Sequence, residues 1–264
     1  MLAPLLAQPH SKAANLFDQL NTLAGKFRPI LDANDLNLAR LRGEGLELFK
    51  SDPLHGAILL GSIAVLTKDE NAMRQWFARA HQQSAGHEVV SYNYSIALGG
   101  LGFFTEALEE AQRAHRRSSG VLLVVDNLIS AYSLAGYHRH AVSLLRQRNS
   151  QTKDGAYPGA DALGRVAEFM VREDIPDEVV FAQQHLAAQV MHEAGVYSSN
   201  LHYRISDDEE SVWLSGMWYL DEPVEKVVDL DWLLAERLVS LGQGLPDSVN
   251  FMFVVNKPNG HPAA

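Results

Sequence analysis

The chain has 264 residues, of which 47% are hydrophobic, and this composition excludes wholesale disorder. The formal net charge of −10 argues against a general nucleic-acid-binding protein, since such a protein needs a basic face. Cysteine is absent, which excludes disulfides, thiolate nucleophiles and zinc sites with cysteine ligands.

The start of the chain, Met1–Ala7, is apolar but has no basic residue before it and is too short for a convincing signal peptide. No apolar run reaches the roughly 18 residues that a membrane span needs. We therefore expect a cytoplasmic protein without a membrane partner, and its short, compact chain suggests a bacterial origin.

The central part of the chain repeats at an interval of 34 residues. The recurring pairs are Asn93 and Asn127, Ala97 and Ala131, Gly102 and Gly136, and Ala107 and Ala141. Shifted back by the same interval, Gln-Arg-Ala-His at 112–115 falls on Ala-Arg-Ala-His at 78–81. A period that holds over several shifts indicates an internal structural repeat.

The spacing inside one unit predicts two helices joined by a turn. Tyr94, Ala97 and Leu98 share one helical face, and Gly102 then supplies a residue without a Cβ atom. Apolar side chains follow at spacings of three and four, which is the period of a helix with one buried stripe. They are Phe104, Ala107, Leu108, Ala111 and Ala114.

This pattern resembles the tetratricopeptide repeat (TPR), a 34-residue helix-turn-helix unit with a turn glycine and alanine at the close contacts. The residues that carry the resemblance are Asn93, Ala97, Leu98, Gly102, Phe104, Ala107 and Ala114, then Asn127, Leu128, Ala131, Tyr132, Gly136 and Ala141. It covers about residues 20–150 and continues in degenerate form through helices near 159–171 and 177–194. The unit at 54–87 departs from it with Lys68 at the turn, and an unrelated array of helical hairpins is the alternative.

The resemblance implies a right-handed α-solenoid over residues 1–195, with the first helix of each pair lining a concave groove. In that family an asparagine on this helix commonly bonds a peptide backbone, and Asn93 and Asn127 occupy its position. Tyr92, Asp126 and Ser130 are neighbouring groove positions, and Tyr92 is the expected aromatic anchor. A helix-packing hydrogen bond is the alternative role of each asparagine. The lysines and arginines of carboxylate-gripping members are missing, which favours an apolar or mildly basic ligand.

Residues 196–264 predict a small acidic α+β domain with the order strand, strand, helix, strand. Alternating side chains over 201–205 and 212–218 predict a hairpin, with Asp207–Glu210 as its polar turn. An apolar stripe from Val224 to Leu241 predicts a helix that Gly242 and Gly244 end, and the run Val249–Val255 predicts a strand covered on both sides. This segment holds 4 basic and 11 acidic side chains. The predicted fold class is mostly α with a small α+β C-terminal domain.

No pattern of catalytic, metal or cofactor chemistry stands out. His138 and His140 point to different sides of a helix, and His192-Glu193 lacks the second histidine of a zincin. The chain has no G-x-S-x-G elbow, Walker loop or dinucleotide-binding glycine pattern. The basic cluster 113–117 is more typical of a helix C-terminus than of a phosphate site. We predict no catalytic residue, metal or cofactor.

The leading hypothesis is an adaptor or chaperone that binds another protein or peptide in its helical groove. The alternative is an inhibitor or immunity-type protein whose acidic C-terminal domain blocks a basic partner. An enzyme with its site in the small domain is a third hypothesis. Raised salt separates the first two, because apolar burial survives it and charge complementarity weakens.

Overall fold

A computed structural model describes two compact units, which divide between Asn127 and Leu128. The units differ from the predicted domains, whose boundary between residues 195 and 196 stays a prediction. The residues that the structure describes are 12–26, 35–84, 87–152, 155–207, 212–240 and 248–256. The predicted hairpin turn and the glycines that were expected to end the last helix fall largely or wholly outside them.

The first unit is helical. Its helices are α1 (Lys12–Lys26), α2 (Leu36–Ser51), α3 (Pro53–Leu66), α4 (Glu70–Gln83), α5 (Glu88–Gly100) and α6 (Phe104–Arg117). Helices α2, α3 and α5 each pack on the helix that follows them. Helix α4 packs more extensively on α3 than on α5. The next helix, α7 (Leu122–Leu134), contains the division between the units. This packing of adjacent helices makes the chain a helical repeat-like protein.

Three turns of the same type lie 34 residues apart. Lys68, Gly102 and Gly136 all have left-handed backbones, with φ of 54°, 85° and 88°. In each turn the amide of the next residue donates to a carbonyl five residues back at 2.9 Å, which closes the end of the preceding helix. The donor and acceptor pairs are Asp69 and Ala64, Phe103 and Leu98, and Tyr137 and Tyr132. The predicted turn positions are confirmed, including the one that lacks glycine.

The centre of the first unit is α3, whose residues Gly56 to Val65 are all buried. Gly56 allows a close approach of two helices, because a Cβ atom there would lie 2.4 Å from the Cα atom of Phe49 on α2. Farther along, Arg74 of α4 forks onto Glu106 of α6 with nitrogen–oxygen distances of 2.6 and 2.9 Å. Its guanidinium also lies 4.6 Å from the centre of the Phe103 ring.

The second unit contains helices and a three-stranded sheet. Its elements after α7 are α8 (His138–Gln151), α9 (Ala160–Arg172), α10 (Asp177–Glu193), β1 (Leu201–Asp207), β2 (Val212–Leu220), α11 (Val224–Ser240) and β3 (Val249–Val255). The sheet order is β1-β2-β3, with β1 antiparallel and β3 parallel to β2. The predicted order of strand, strand, helix, strand is confirmed, as are the helices expected near 159–171 and 177–194.

The last strand differs from its prediction. Val249, Phe251 and Phe253 are buried, whereas Met252 between them is 36% exposed. The strand is therefore covered on one face only. Because residues on both faces are apolar, the residue types do not show which face is exposed. Phe251 is register partner of Gly216, and a Cβ atom at Gly216 would lie 2.3 Å from the Phe251 ring. The glycine makes room for that ring.

Of the helices within the described ranges, none is both long enough and apolar enough to cross a membrane.

Candidate functional site

Helix α11 presents an apolar stripe to solvent. Val224 is 54% exposed, Val228 46%, Trp232 69% and Val239 82%. Ala235 is also exposed and lies between the last two along the same face. Isolated exposed apolar residues are common on proteins, but a contiguous row with a tryptophan at its centre is typical of an interaction surface.

The opposite face of α11 holds the helix in place. Val227, Leu230 and Leu234 are buried, and the helix packs on β3 and α10. Asp231 accepts a hydrogen bond of 2.7 Å from the amide of Phe253, which satisfies a donor on the open edge of β3. Burial raises the pKa of Asp231, and this hydrogen bond acts in the opposite direction. The exposed stripe therefore stands on an anchored helix.

Charge borders the stripe on one side. Glu225, Asp229 and Glu236 are exposed, and no ion pair joins them to a basic group in the part of the chain that the structure describes. Both basic residues of α11 are engaged elsewhere: Lys226 pairs with Glu222 at 3.2 Å, and Arg237 pairs with Glu193. Within the described ranges, the surface is an apolar row with an acidic edge that no basic side chain neutralises. We call these residues, Val224, Val228, Trp232, Ala235 and Val239 with Glu225, Asp229 and Glu236, the α11 face.

The sequence predicts one apolar stripe along α11, and the structure divides it between two faces. The apolar stripe predicted from Val224 to Leu241 includes Val227, Val228 and Leu234. The structure separates them, since Val227 and Leu234 face the core whereas Val224 and Val228 face solvent. The recurrence of Val228, Trp232 and Val239 at helical spacing is the signal of this face in the sequence.

The expected groove anchor lies in the core of the first unit. Tyr92 is fully buried and packs with Ala114 and Val124. Burial raises the pKa of Tyr92 to about 12, and the charge of Asp126 acts in the same direction. The expectation of an accessible aromatic anchor does not fit this placement, because α5 is buried along nearly its whole length. Asp126 is half-buried.

The two asparagines make internal hydrogen bonds. Asn93 donates to the carbonyl of Val89 at 2.7 Å, while its side-chain oxygen is buried without a partner in the described residues. Asn127 donates to the hydroxyl of Ser95 at 3.2 Å, and that hydroxyl donates to the carbonyl of Ala107 at 2.8 Å. The contacts of Asn127 match the helix-packing alternative. Whether either asparagine also contacts a partner stays a prediction.

The remaining groove residue, Ser130, is half-buried on α7 and belongs to the second unit. The basic cluster at 113–117 ends α6, as the helix-terminus interpretation expects, and Arg113 pairs with Glu110. Ser130 and this cluster carry no geometry that points to a particular ligand.

A buried polar cluster in the second unit was missed by sequence reasoning. The buried carboxylate of Asp177 accepts from the amides of Arg139 and His140 at 3.0 and 3.2 Å, and it contacts His140 Nδ1 at 2.7 Å. Asp177 thus caps the first turn of α8 from 37 residues away. No local pattern could have revealed this cap, because the capping residue is normally adjacent to its helix.

The same cluster has a second part. Tyr203 donates to the side-chain oxygen of Gln184, and the side-chain amide of Gln184 donates to the carbonyl of Leu134. His138 is buried against Tyr203, and burial lowers the pKa of His138 to about 4. The hydrogen bonds that join Tyr203, Gln184 and Leu134 are typical of a structural polar network, and His138 packs against it through its ring alone. Across the described ranges, no three histidine or acidic side chains are grouped to hold a metal ion.

Comparisons with protein-family models, with curated proteins and with solved structures find no match to this chain.

Proposed function

We propose that this chain is a TPR-like adaptor that binds another polypeptide, and that the α11 face is a contact surface for that partner. The observation that carries the proposal is the exposure of Trp232 at the centre of an apolar row on an anchored helix. Tryptophan is among the residues that contribute most to protein interfaces. Exposure of such a row to water is unfavourable, so its burial by a partner lowers the free energy of the complex.

The repeat supports the TPR-like part of the proposal. Left-handed residues recur at Lys68, Gly102 and Gly136, and adjacent helices pack on one another. A right-handed solenoid with a concave groove is the architecture that the resemblance implies. Within it, Asp126 and Ser130 are the groove positions that retain exposed surface and remain candidates for partner contact. Chaperone activity, a bacterial origin and a cytoplasmic location stay predictions.

An acidic inhibitor is the second candidate function. Glu225, Asp229 and Glu236 favour it, because these carboxylates have no ion-pair partner among the described residues and give one edge of the α11 face a single sign of charge. A basic partner would then be recognised mainly through these charges, and its binding would fall steeply with salt. An adaptor that relies on apolar burial would keep most of its affinity.

Affinity capture with the full-length chain tests the proposal. Wild-type protein and the Trp232→Ala variant are used as baits in an extract of the native cell, at about 0.1 and 0.5 M salt. Val171→Ala is the matched control, because Val171 is 64% exposed on α9 without belonging to an apolar row. We expect a stoichiometric protein that the wild type and the control retain at both salt concentrations and that Trp232→Ala loses. Equal capture by all three baits would contradict the assigned surface, and loss from every bait at the higher salt would favour the inhibitor.

A further inference from the structure

The α11 face has the spacing of a helix–helix seam. Val228, Trp232, Ala235 and Val239 follow one another at intervals of four, three and four residues. At 3.6 residues per turn their side chains fall within an arc of about 60°. This alternation of four and three is the a/d pattern by which one helix packs along another, and it is narrower than the apolar stripe of a helix on a globular core.

The acidic edge follows the same register. Asp229 comes directly after Val228, and Glu236 directly after Ala235, so the two carboxylates occupy equivalent positions seven residues apart. Residues at this position flank the seam of paired helices, where they contact charged residues of the partner. Neither has an ion-pair partner among the described residues, so both charges are available.

We propose, on the premise that the α11 face binds a polypeptide, that the partner segment is an amphipathic α-helix whose apolar seam is bordered by lysine or arginine. The apolar seam takes the row centred on Trp232, and the basic border takes Asp229 and Glu236. An extended peptide fits less well, since it recognises an exposed strand edge or a groove, and α11 offers neither.

A second copy of this chain is a poorer occupant, because charge opposes the antiparallel orientation and does not favour the parallel one. In an antiparallel pair of α11 helices, Asp229 and Glu236 of one copy would face the same two carboxylates of the other. In a parallel pair, the position that faces Glu236 is Asp231, whose carboxylate already accepts from the amide of Phe253, so Glu236 would meet no basic partner. Like charges placed opposite one another disfavour pairing, so the structure selects a partner of different sequence and opposite charge.

Two synthetic peptides test this proposal with the full-length chain. Both are helices of about three heptads with leucine at every seam position, and they differ in carrying either lysine or glutamate at the flanking positions. Calorimetric titration at about 0.1 M salt should show the lysine peptide binding about tenfold more tightly than the glutamate peptide. At about 1 M salt this preference should largely disappear, because the flanking charges are screened.

Matched variants assign the effect to the α11 face. Trp232→Ala should weaken the binding of both peptides. Val171→Ala, at an exposed valine outside the α11 face, should leave the affinity for both peptides unchanged. The double variant Asp229→Lys with Glu236→Lys should reverse the preference, so that the glutamate peptide binds more tightly. Equal affinities for the two peptides, or a preference that the double variant retains, would overturn the proposal.

Sedimentation of the chain alone completes the test. If the wild type and Trp232→Ala are both monomers, the result supports the proposal. If the wild type is a dimer and Trp232→Ala is a monomer, the α11 face binds a second copy and the proposal is overturned. The proposed function fails separately, when capture from the extract does not depend on Trp232. If capture depends on Trp232 but the peptides show no charge preference, the proposed function stands and this inference falls.

Discussion

The ring of His138 stands edge-on against the ring of Tyr203, with centroids 4.5 Å apart and planes at 87°. Both histidine nitrogens lack a hydrogen-bond partner within the described residues. Burial accounts for the fall in the pKa of His138 from 6.5 to about 4, against a smaller opposing effect of Asp177. The neutral ring therefore fits this site, and the charged ring does not.

The stability of the fold should fall as the pH falls from 6.5 toward 4. The folded pKa of about 4 lies below the unfolded value of 6.5, so the unfolded chain binds the additional proton between them. The contribution is fully present above pH 6.5 and is lost toward pH 4, by about 3 kcal/mol in all. Urea denaturation at pH 7 and pH 4.5 measures the loss in the free energy of unfolding between the two pH values. This loss should be smaller for His138→Phe than for the wild type. The exposed-site control His202→Phe should match the wild-type loss, and an unchanged loss in His138→Phe would contradict the assignment.

Removal of the distant cap should destabilise the second unit. Asp177→Ala leaves the amides of Arg139 and His140 without their buried acceptor, so we expect a loss of about 1–2 kcal/mol in the free energy of unfolding. Chemical denaturation measures it. Glu178→Ala, at the exposed neighbouring carboxylate, should change stability by less than about 0.5 kcal/mol. Similar losses in the two variants would show that Asp177 has no special role as a cap.

A methyl group at the third repeat turn should be costly. In Gly136→Ala the new Cβ atom would lie 2.9 Å from the backbone nitrogen of Phe181, on a residue whose φ is +88°. Strain and overpacking together should lower stability by about 2 kcal/mol or more. Gly120→Ala is the control, because nothing lies within 4 Å of its added Cβ atom. Thermal denaturation should shift for Gly136→Ala and hardly at all for Gly120→Ala; equal midpoints would mean that this turn tolerates a side chain.

The first repeat turn should respond in the opposite direction. Lys68 has φ of 54°, a conformation that disfavours residues with a Cβ atom. Lys68→Gly should therefore be more stable than Lys68→Ala by about 1 kcal/mol, since both variants lose the lysine side chain and only one keeps the strain. The two denaturation midpoints give this difference directly. A less stable glycine variant would argue against backbone strain at this turn.

Asn127 should contribute to stability through its internal hydrogen bond. Asn127→Ala removes the bond of 3.2 Å to the Ser95 hydroxyl, so a loss of about 1 kcal/mol is expected. Denaturation of Asn127→Ala, Ser95→Ala and the double variant measures the coupling between the two side chains. Strictly additive losses would remove the hydrogen bond as the explanation. A fall in partner affinity without any loss of stability would support the predicted groove contact of Asn127.

Local patterns sufficed for the elements of the chain. The helices of the repeat and the turns at Gly102 and Gly136 follow from residues within one unit, because helical period and turn conformation depend on near neighbours. The hairpin, α11 and β3 were predicted for the same reason. The 34-residue register even identified Lys68 as a turn, although its residue type gave no such indication.

Burial and long-range pairing were decided by the tertiary structure. Tyr92 and Trp232 are both aromatic residues on helices, yet one is fully buried and the other is 69% exposed. Asp177 begins its own helix and caps another, and nothing near it in the chain announces the second role. The sequence by itself determined where helices, turns and strands form, since these depend on adjacent residues. The tertiary structure alone determined which of their faces meet water, because that depends on segments far apart in the chain.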